Sequence, residues 1–399
     1  MKTRLKKNIS WHLLLLILIS LVIIIQYLAK THLIELQNFY IPDSYTYEIK
    51  ALIEQDFNEL PKALYYRFNY LLYNIAPQSF LIFNSSLLFM SLNICRDVFQ
   101  YISPQAISYS RLAIVGNPYL LIGVIGPNKE TILIFIYLLF WRSLFLLTGI
   151  QRIIALIIIG SVPITIRPVL SFCLFISVVT YLVIYRFNKP RVLIIFFVVL
   201  FFLFNSTPFG NNFITGLQDD DLTSFRSSNV YDIALLLKNF SQDALLQYPA
   251  FIAKTIIILF APIVRPFNIF QIPLPLLDIG YTIVAYLYLP FNASLVILFF
   301  NRTKLLYLEK KKKISILLFC TIISVLVVIL NPLLSFRYIF PYSPFIFSLF
   351  AIHSSTTKKK LVNISIFVTI ILVLFSPMYS SDSVSLSTYE NIPEFLNWL

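Results

Sequence analysis

The segment Pro42-Asp43-Ser44-Tyr45-Thr46-Tyr47 places a carboxylate among hydroxyl groups. Such a carboxylate can take a proton from an alcohol as a general base, or hold a divalent cation against a phosphate. The simpler alternative is that Asp43-Ser44 caps a following helix by accepting its free backbone N–H groups. Further along, Lys129-Glu130 follows Gly126-Pro127-Asn128. Lys129 suits an anionic head group, while Glu130 at a helix start is also favoured by the helix dipole alone. Arginines stand beside turns in Arg167-Pro168, in Arg265-Pro266 and at Arg337-Tyr338 ahead of Pro341, and Arg226 lies in a long polar stretch. A guanidinium is planar, always charged and matched to phosphate oxygens, so several together suit a pyrophosphate. A single one can equally be an interfacial anchor.

The elements that carry these residues are membrane helices. Of the 399 residues, 58% are hydrophobic and only 12% charged, far below the quarter or so expected of a soluble domain. Several stretches reach about 18 apolar residues, enough to cross the hydrocarbon core. The formal charge of +13 would suggest nucleic acid in a soluble protein. Here the basic residues crowd into Lys2 to Lys7, Arg186 to Arg191, Arg302 to Lys313 and Lys358 to Lys360, short segments that mark the cytoplasmic side. Counting spans from them puts Asp43, Lys129, Glu130, Arg167, Arg265 and Arg337 on the opposite side. Charges at the mouth of a helix bundle are costly and point to a polar site.

The expected architecture is all-α: one polytopic membrane domain over residues 1–399 with about eleven spans. The first, at residues 11–29, is too long for a signal-peptide core and has no small-x-small cleavage pattern after it, so it is expected to remain uncleaved. An acidic amphipathic segment, 31–66, follows on the outer side, with Ile49, Leu52, Ile53, Phe57 and Leu60 on one face. Spans are expected near 68–92, 112–126 and 131–148, with Arg96 and Arg111 bracketing an inner polar link. The run 153–185 should break at Pro163 and at Arg167-Pro168, leaving Arg167 at an outer turn. A span near 192–207 leads to a large outer loop and broken interfacial segment, 208–276, and loops of that length are usually functional. Spans near 278–300, 314–332, 338–353 and 361–377 complete the chain.

Several classes fall away. Cys95, Cys173 and Cys320 are isolated, and His12, His32 and His353 are scattered, so neither a metal site nor a disulfide is expected. No phosphate-binding glycine loop, nucleophile elbow or dinucleotide fingerprint is present. Eight glycines in the whole chain provide few hinges for a rocking carrier.

Taken together, the chain resembles the bacterial membrane glycosyltransferases of the GT-C class and the polysaccharide repeat-unit polymerases. Asp43, Ser44 and Tyr47 match an Asp-Ser-x-x-Tyr segment after the first span. Pro118 and Gly126-Pro127-Asn128-Lys129-Glu130 match a Lys-acid motif after a proline-containing span, with Asn in place of the usual residue before Lys. Arg167-Pro168, Arg265-Pro266-Phe267 and Arg337-Tyr338 with Pro341 complete the likeness. The resemblance implies transfer from a polyprenyl-(pyro)phosphate sugar at the periplasmic face of the bacterial inner membrane, with the N-terminus cytoplasmic. On that basis Asp43, Lys129 and Glu130 are the expected catalytic residues, and Ser44, Tyr47, Arg167, Arg226, Arg265, Arg337 and Tyr338 the expected substrate contacts. No cofactor is expected, with a divalent cation left open: the first loop departs from the family pattern in lacking an Asp-Asp or Glu-Asp pair, so no clear ligand set supports one. The partners would be lipid-linked oligosaccharide donor and acceptor, the bilayer, and chain-length regulator and flippase proteins, but not nucleic acid. The favoured product is a polymer of O-antigen, capsule or exopolysaccharide repeats. The alternatives are a single-sugar transferase using a polyprenyl-phosphate monosaccharide and a flippase for lipid-linked oligosaccharide.

Overall fold

In the computed structural model of the chain, the described residues are 2–31, 63–76, 78–187, 276–301, 311–329 and 336–375. Among them every regular element is helical and there is no strand, so the fold is all-α. Among the described residues, two helices are long and apolar enough to cross a membrane, over Trp11–Leu28 and Ser79–Phe99. The chain divides into two compact units, with described residues up to 174 and 276–284 in the first and those of 175–187 and 285–375 in the second.

The first unit begins with α1, Lys2–Lys30, which carries the basic segment and the first apolar stretch in one continuous helix. It is followed by α2, Ala63–Ile75, and α3, Ser79–Phe99. The single span expected at 68–92 is thus two helices, and the sequence places Pro77 between them. A proline lacks the N–H that a helix interior needs and disfavours helical backbone in the residue before it. The third expected span is likewise divided, into α4 (Pro104–Val115) and α5 (Pro118–Ile122). Each opens on a proline in its first turn, after a capping side chain: Ser103 accepts from Ala106 N and Asn117 from Leu120 N. Then come α6, Lys129–Leu146, and α7, Gly149–Ser161, with a 3₁₀ turn at Val162–Thr165 ahead of α8, Pro168–Phe187. The predicted breaks at Pro163 and Arg167-Pro168 are therefore present. Between α6 and α7, Gly149 takes a left-handed φ of 53°, which the absence of a Cβ permits. The Arg152 guanidinium donates to the Leu147 carbonyl at 2.6 Å and so closes the end of α6.

The centre of this unit is the pairing of α3 with α6. Near the start of α3, Asn84 donates both amide hydrogens across to the loop before α6, to Val124 O at 3.1 Å and Gly126 O at 2.9 Å. Near the end of α3, Asp97 accepts from Arg142 Nε at 2.9 Å. Both contacts run in the same order along the two helices, so α3 and α6 are parallel, and α4–α5 carries the chain back between them. Helix α1 packs against α3, α4 and α5, with His12 stacked on Phe89 at 5.8 Å. Arg111 departs from expectation. It does not lie on a polar link but is 3% exposed, two turns into α4, where its Nε donates to Leu92 O at 2.9 Å.

Helix α9 (Leu276–Phe300) passes into the second unit at residue 285 and contains Pro290, and α10 spans Lys312–Ile329. A 3₁₀ turn at Phe336–Tyr342 leads into the short α11, Ser343–Phe350, and α12 covers Ser355–Phe375. Aromatic rings fill the space between α9 and α11. Phe291 stacks on Phe347 at 3.6 Å, and Tyr288 meets Phe347 edge-on at 4.7 Å. Buried His353 lies with its Nε2 3.3 Å from the Ser294 carbonyl.

Asn84 is 1% exposed and satisfies two carbonyls at once. Asn84→Ala should lower the thermal midpoint of the purified protein, by the equivalent of about 1–3 kcal/mol for two lost hydrogen bonds. An unchanged midpoint would mean that the loop before α6 holds its shape without this anchor.

Candidate functional site

The N-terminus of α6 is built by Asn128. Its backbone is extended, and its Oδ1 accepts from Glu130 N at 3.0 Å, satisfying one of the N–H groups that a helix start leaves without an internal partner. This places Lys129 and Glu130 in the first helical turn, the position that the Asn-Lys-Glu order and the helix dipole favour. Lys129 is half-buried. Glu130 is only 1% exposed in a largely apolar surrounding, so its charge requires a specific counter-charge.

That counter-charge is Arg167. Its Nη2 donates to Glu130 Oε1 at 2.8 Å and its Nη1 to Oε2 at 3.1 Å, a two-pronged pair matching the planar fork to the carboxylate. The Arg167 side chain is 12% exposed. The turn that presents it is narrow: Arg167 N donates to Pro163 O at 2.6 Å, and its own carbonyl accepts from Leu170 N at 2.9 Å at the start of α8. Tyr65 and Tyr66 of α2 are both buried and pack against Ile132 and Ile166, the neighbours of the two charged residues. The start of α2 therefore lies against the elements that carry the pair.

Of the sequence-predicted residues, the structure brings Glu130 and Arg167 together. Lys129 adjoins them on the helix. Arg337 and Tyr338 fall in the 3₁₀ turn Phe336–Tyr342 of the other unit. Asp43, Ser44, Tyr47, Arg226 and Arg265 lie outside the described residues, as do nearly all of the 31–66 segment and of the 208–276 loop. The pairing itself was the missed feature. Glu130 had been set beside Lys129, whereas its partner stands 37 positions further on. Span counting had already put an acid and a base at the same end of neighbouring helices, and that was the usable signal. A second missed pair, Asp97 with Arg142, lies about 18 Å along α6 from the first at 1.5 Å per residue. It is substantially exposed, so it contributes little to stability.

The arrangement limits the chemistry. A carboxylate whose two oxygens both accept from one guanidinium holds that guanidinium's plane in place, so Glu130 is suited to orienting Arg167. Arg167 is thereby fixed as a permanent positive charge at a helix junction. Among the described residues no group of three or more His, Cys, Asp or Glu could hold a metal ion. No family model matches the chain, and neither a curated protein nor a solved structure matches it.

Removing one member of a buried pair leaves the other charge uncompensated, which typically costs about 3–5 kcal/mol. Glu130→Gln and Arg167→Met should each lower the thermal midpoint strongly, whereas the Glu130→Gln/Arg167→Met double variant should lie above the sum of the two losses. Strictly additive losses would mean that the pair is not energetically coupled.

Proposed function

We propose that this protein is a polytopic membrane glycosyltransferase of GT-C-like architecture with about eleven spans, acting on polyprenyl-(pyro)phosphate-linked sugars and polymerising surface-polysaccharide repeat units. The observation that carries the reading is the buried Glu130–Arg167 pair, set where two helix ends meet in a chain with only 12% charged residues. Ionisable groups within such a bundle are expensive and are retained chiefly where they serve a site. The basic residues Arg96 and Arg142 at the other end of the α3–α6 pair accord with a cytoplasmic end there and an outward-facing site at Glu130–Arg167.

In this mechanism Arg167, oriented by Glu130, binds the donor phosphate together with Arg265, Arg337 and Lys129. The acceptor hydroxyl oxygen attacks the anomeric carbon, and Asp43 takes its proton. The bond from that carbon to the phosphate oxygen breaks, and the polyprenyl (pyro)phosphate leaves with the electron pair, its charge stabilised by the arginines. Ser44, Tyr47, Arg226 and Tyr338 line the path of the glycan. The enzyme sits in the bacterial inner membrane with its active face in the periplasm, beside the flippase and chain-length regulator of the same pathway.

The test is a gel of surface polysaccharide from a deletion strain complemented with wild type or Asp43→Asn at equal protein level. A ladder that collapses to one repeat and is restored only by wild type supports the polymerase. Full-length chains from the Asp43→Asn strain would remove Asp43 as the base. A normal-length ladder lacking one sugar would replace the polymerase by a single-sugar transferase. Loss of all surface glycan, with lipid-linked units trapped inside, would replace it by a flippase.

A further inference from the structure

Residues 123–128, between α5 and α6, are not helical, yet most of them, Val124, Ile125, Pro127 and Asn128 included, are buried. Irregular backbone in an apolar interior is tolerated only where the protein itself satisfies its polar groups. Pro127 brings no N–H and disfavours helical backbone at Gly126, so the break cannot close into one continuous helix. Asn84 spans it instead. Its amide gives one hydrogen to the Val124 carbonyl at 3.1 Å and the other to the Gly126 carbonyl at 2.9 Å, on the two sides of Ile125. From Gly126, one proline with a locked φ leads to Asn128, which caps α6 through the Glu130 N–H at 3.0 Å. Glu130 then meets Arg167 at 2.8 and 3.1 Å. The links from the Asn84 amide to the ion pair are few and stiff, so a shift of the Gly126 carbonyl passes on to Glu130. The pair tolerates little of it, because N–H···O bonds weaken beyond about 3.2 Å.

We propose that Asn84 is a positioning residue for the Glu130–Arg167 site: by holding the Val124 and Gly126 carbonyls it sets the depth and direction in which α6 starts, and so brings Glu130 into register with Arg167. It acts through the backbone of residues 124–128 and not by contact with substrate. A residue of α3, outside every motif of the sequence, thus belongs to the machinery that aims the arginine. This deepens the glycosyltransferase reading, and it rests on that reading only for the reaction that the pair serves.

The full-length protein in lipid nanodiscs would carry Asn84→Ser, which keeps one donor, or Asn84→Ala, which keeps none. In each background the Glu130–Arg167 coupling would be measured from the thermal midpoints of the Glu130→Gln and Arg167→Met single and double variants. The coupling should fall in the order wild type, Asn84→Ser, Asn84→Ala, to about half or less in the last. The Arg167 guanidinium resonances, assigned by their absence in Arg167→Met, read the same pairing in the Asn84 variants alone and should shift towards those of Glu130→Gln. Asn84→Ser decides the matter by itself should the alanine variant not fold. Phe347→Leu, which trims a fully buried ring of the other unit, controls for general destabilisation. It should lower the midpoint and leave the coupling as in wild type. Coupling and resonances undisturbed by either Asn84 variant, or disturbed as far by Phe347→Leu, would overturn the proposal. In sugar transfer from a polyprenyl-linked donor, Asn84→Ala should lower kcat by about tenfold to hundredfold with KM little changed, and a wild-type kcat would likewise overturn it. Lost pairing in a protein whose wild type transfers no sugar would keep Asn84 in its role and remove the transferase. Transfer by wild type, with the pairing intact in both variants, would do the reverse.

Discussion

A glutamate with 1% of its surface exposed sets the terms for everything around it. Its charge is tolerable only because a guanidinium reaches both oxygens, and that demand fixes where the turn before α8 must lie relative to the start of α6. The prolines at 163 and 168 shape the turn, Asn128 shapes the helix start, and the two tyrosines of α2 exclude water from the flank. Each of these features would be ordinary alone. Together they hold two charges in register across an apolar interior, where small displacements carry a large electrostatic penalty.

The rest of the first unit distributes its polarity by the same economy. Charge is confined to the two ends of the α3–α6 pair, and between them the helices meet through Leu, Ile, Phe and small hydroxyl residues. Thr321, Ser343 and Ser348 in the second unit turn their hydroxyls back onto the carbonyl of the preceding turn, so they demand nothing of neighbouring helices. Asn84 is different because its amide faces another segment and serves two carbonyls there. The second unit relies on ring packing around Phe291 and Phe347 instead. Polar pairing and aromatic packing are thus alternative ways to specify a helix contact when hydrophobicity alone is everywhere.

Much of the first unit was legible in the residues. The all-helical class followed from composition, and the breaks at Pro163 and Arg167-Pro168 from the chemistry of proline, which acts locally and so can be read locally. Placing Glu130 and Arg167 at one end needed only the count of spans. What could not be read was which charges meet, because pairing depends on helix rotation and lateral order, and strongly apolar helices carry almost no periodic signal for either. The same lack of amphipathic contrast blurred the boundaries: α2 and α3 were merged across Pro77, and Arg111 was taken for a loop residue although it lies inside α4. Asn128 was visible as part of a motif, but its capping role depends on a backbone angle that composition does not reveal.

The parallel pairing of α3 and α6 has a consequence for how the chain is made. Asp97 precedes its partner Arg142 by 45 residues, and Asn84 precedes its acceptors by 40 and 42. While the ribosome extends the chain, α3 emerges before its partners, and the Asp97–Arg142 and Asn84 contacts stay open until α4 and α5 have returned and α6 has followed. Until then Asn84, buried in the finished fold, lacks the carbonyls that satisfy it. The four helices α3 to α6 are the smallest stretch in which these contacts can close.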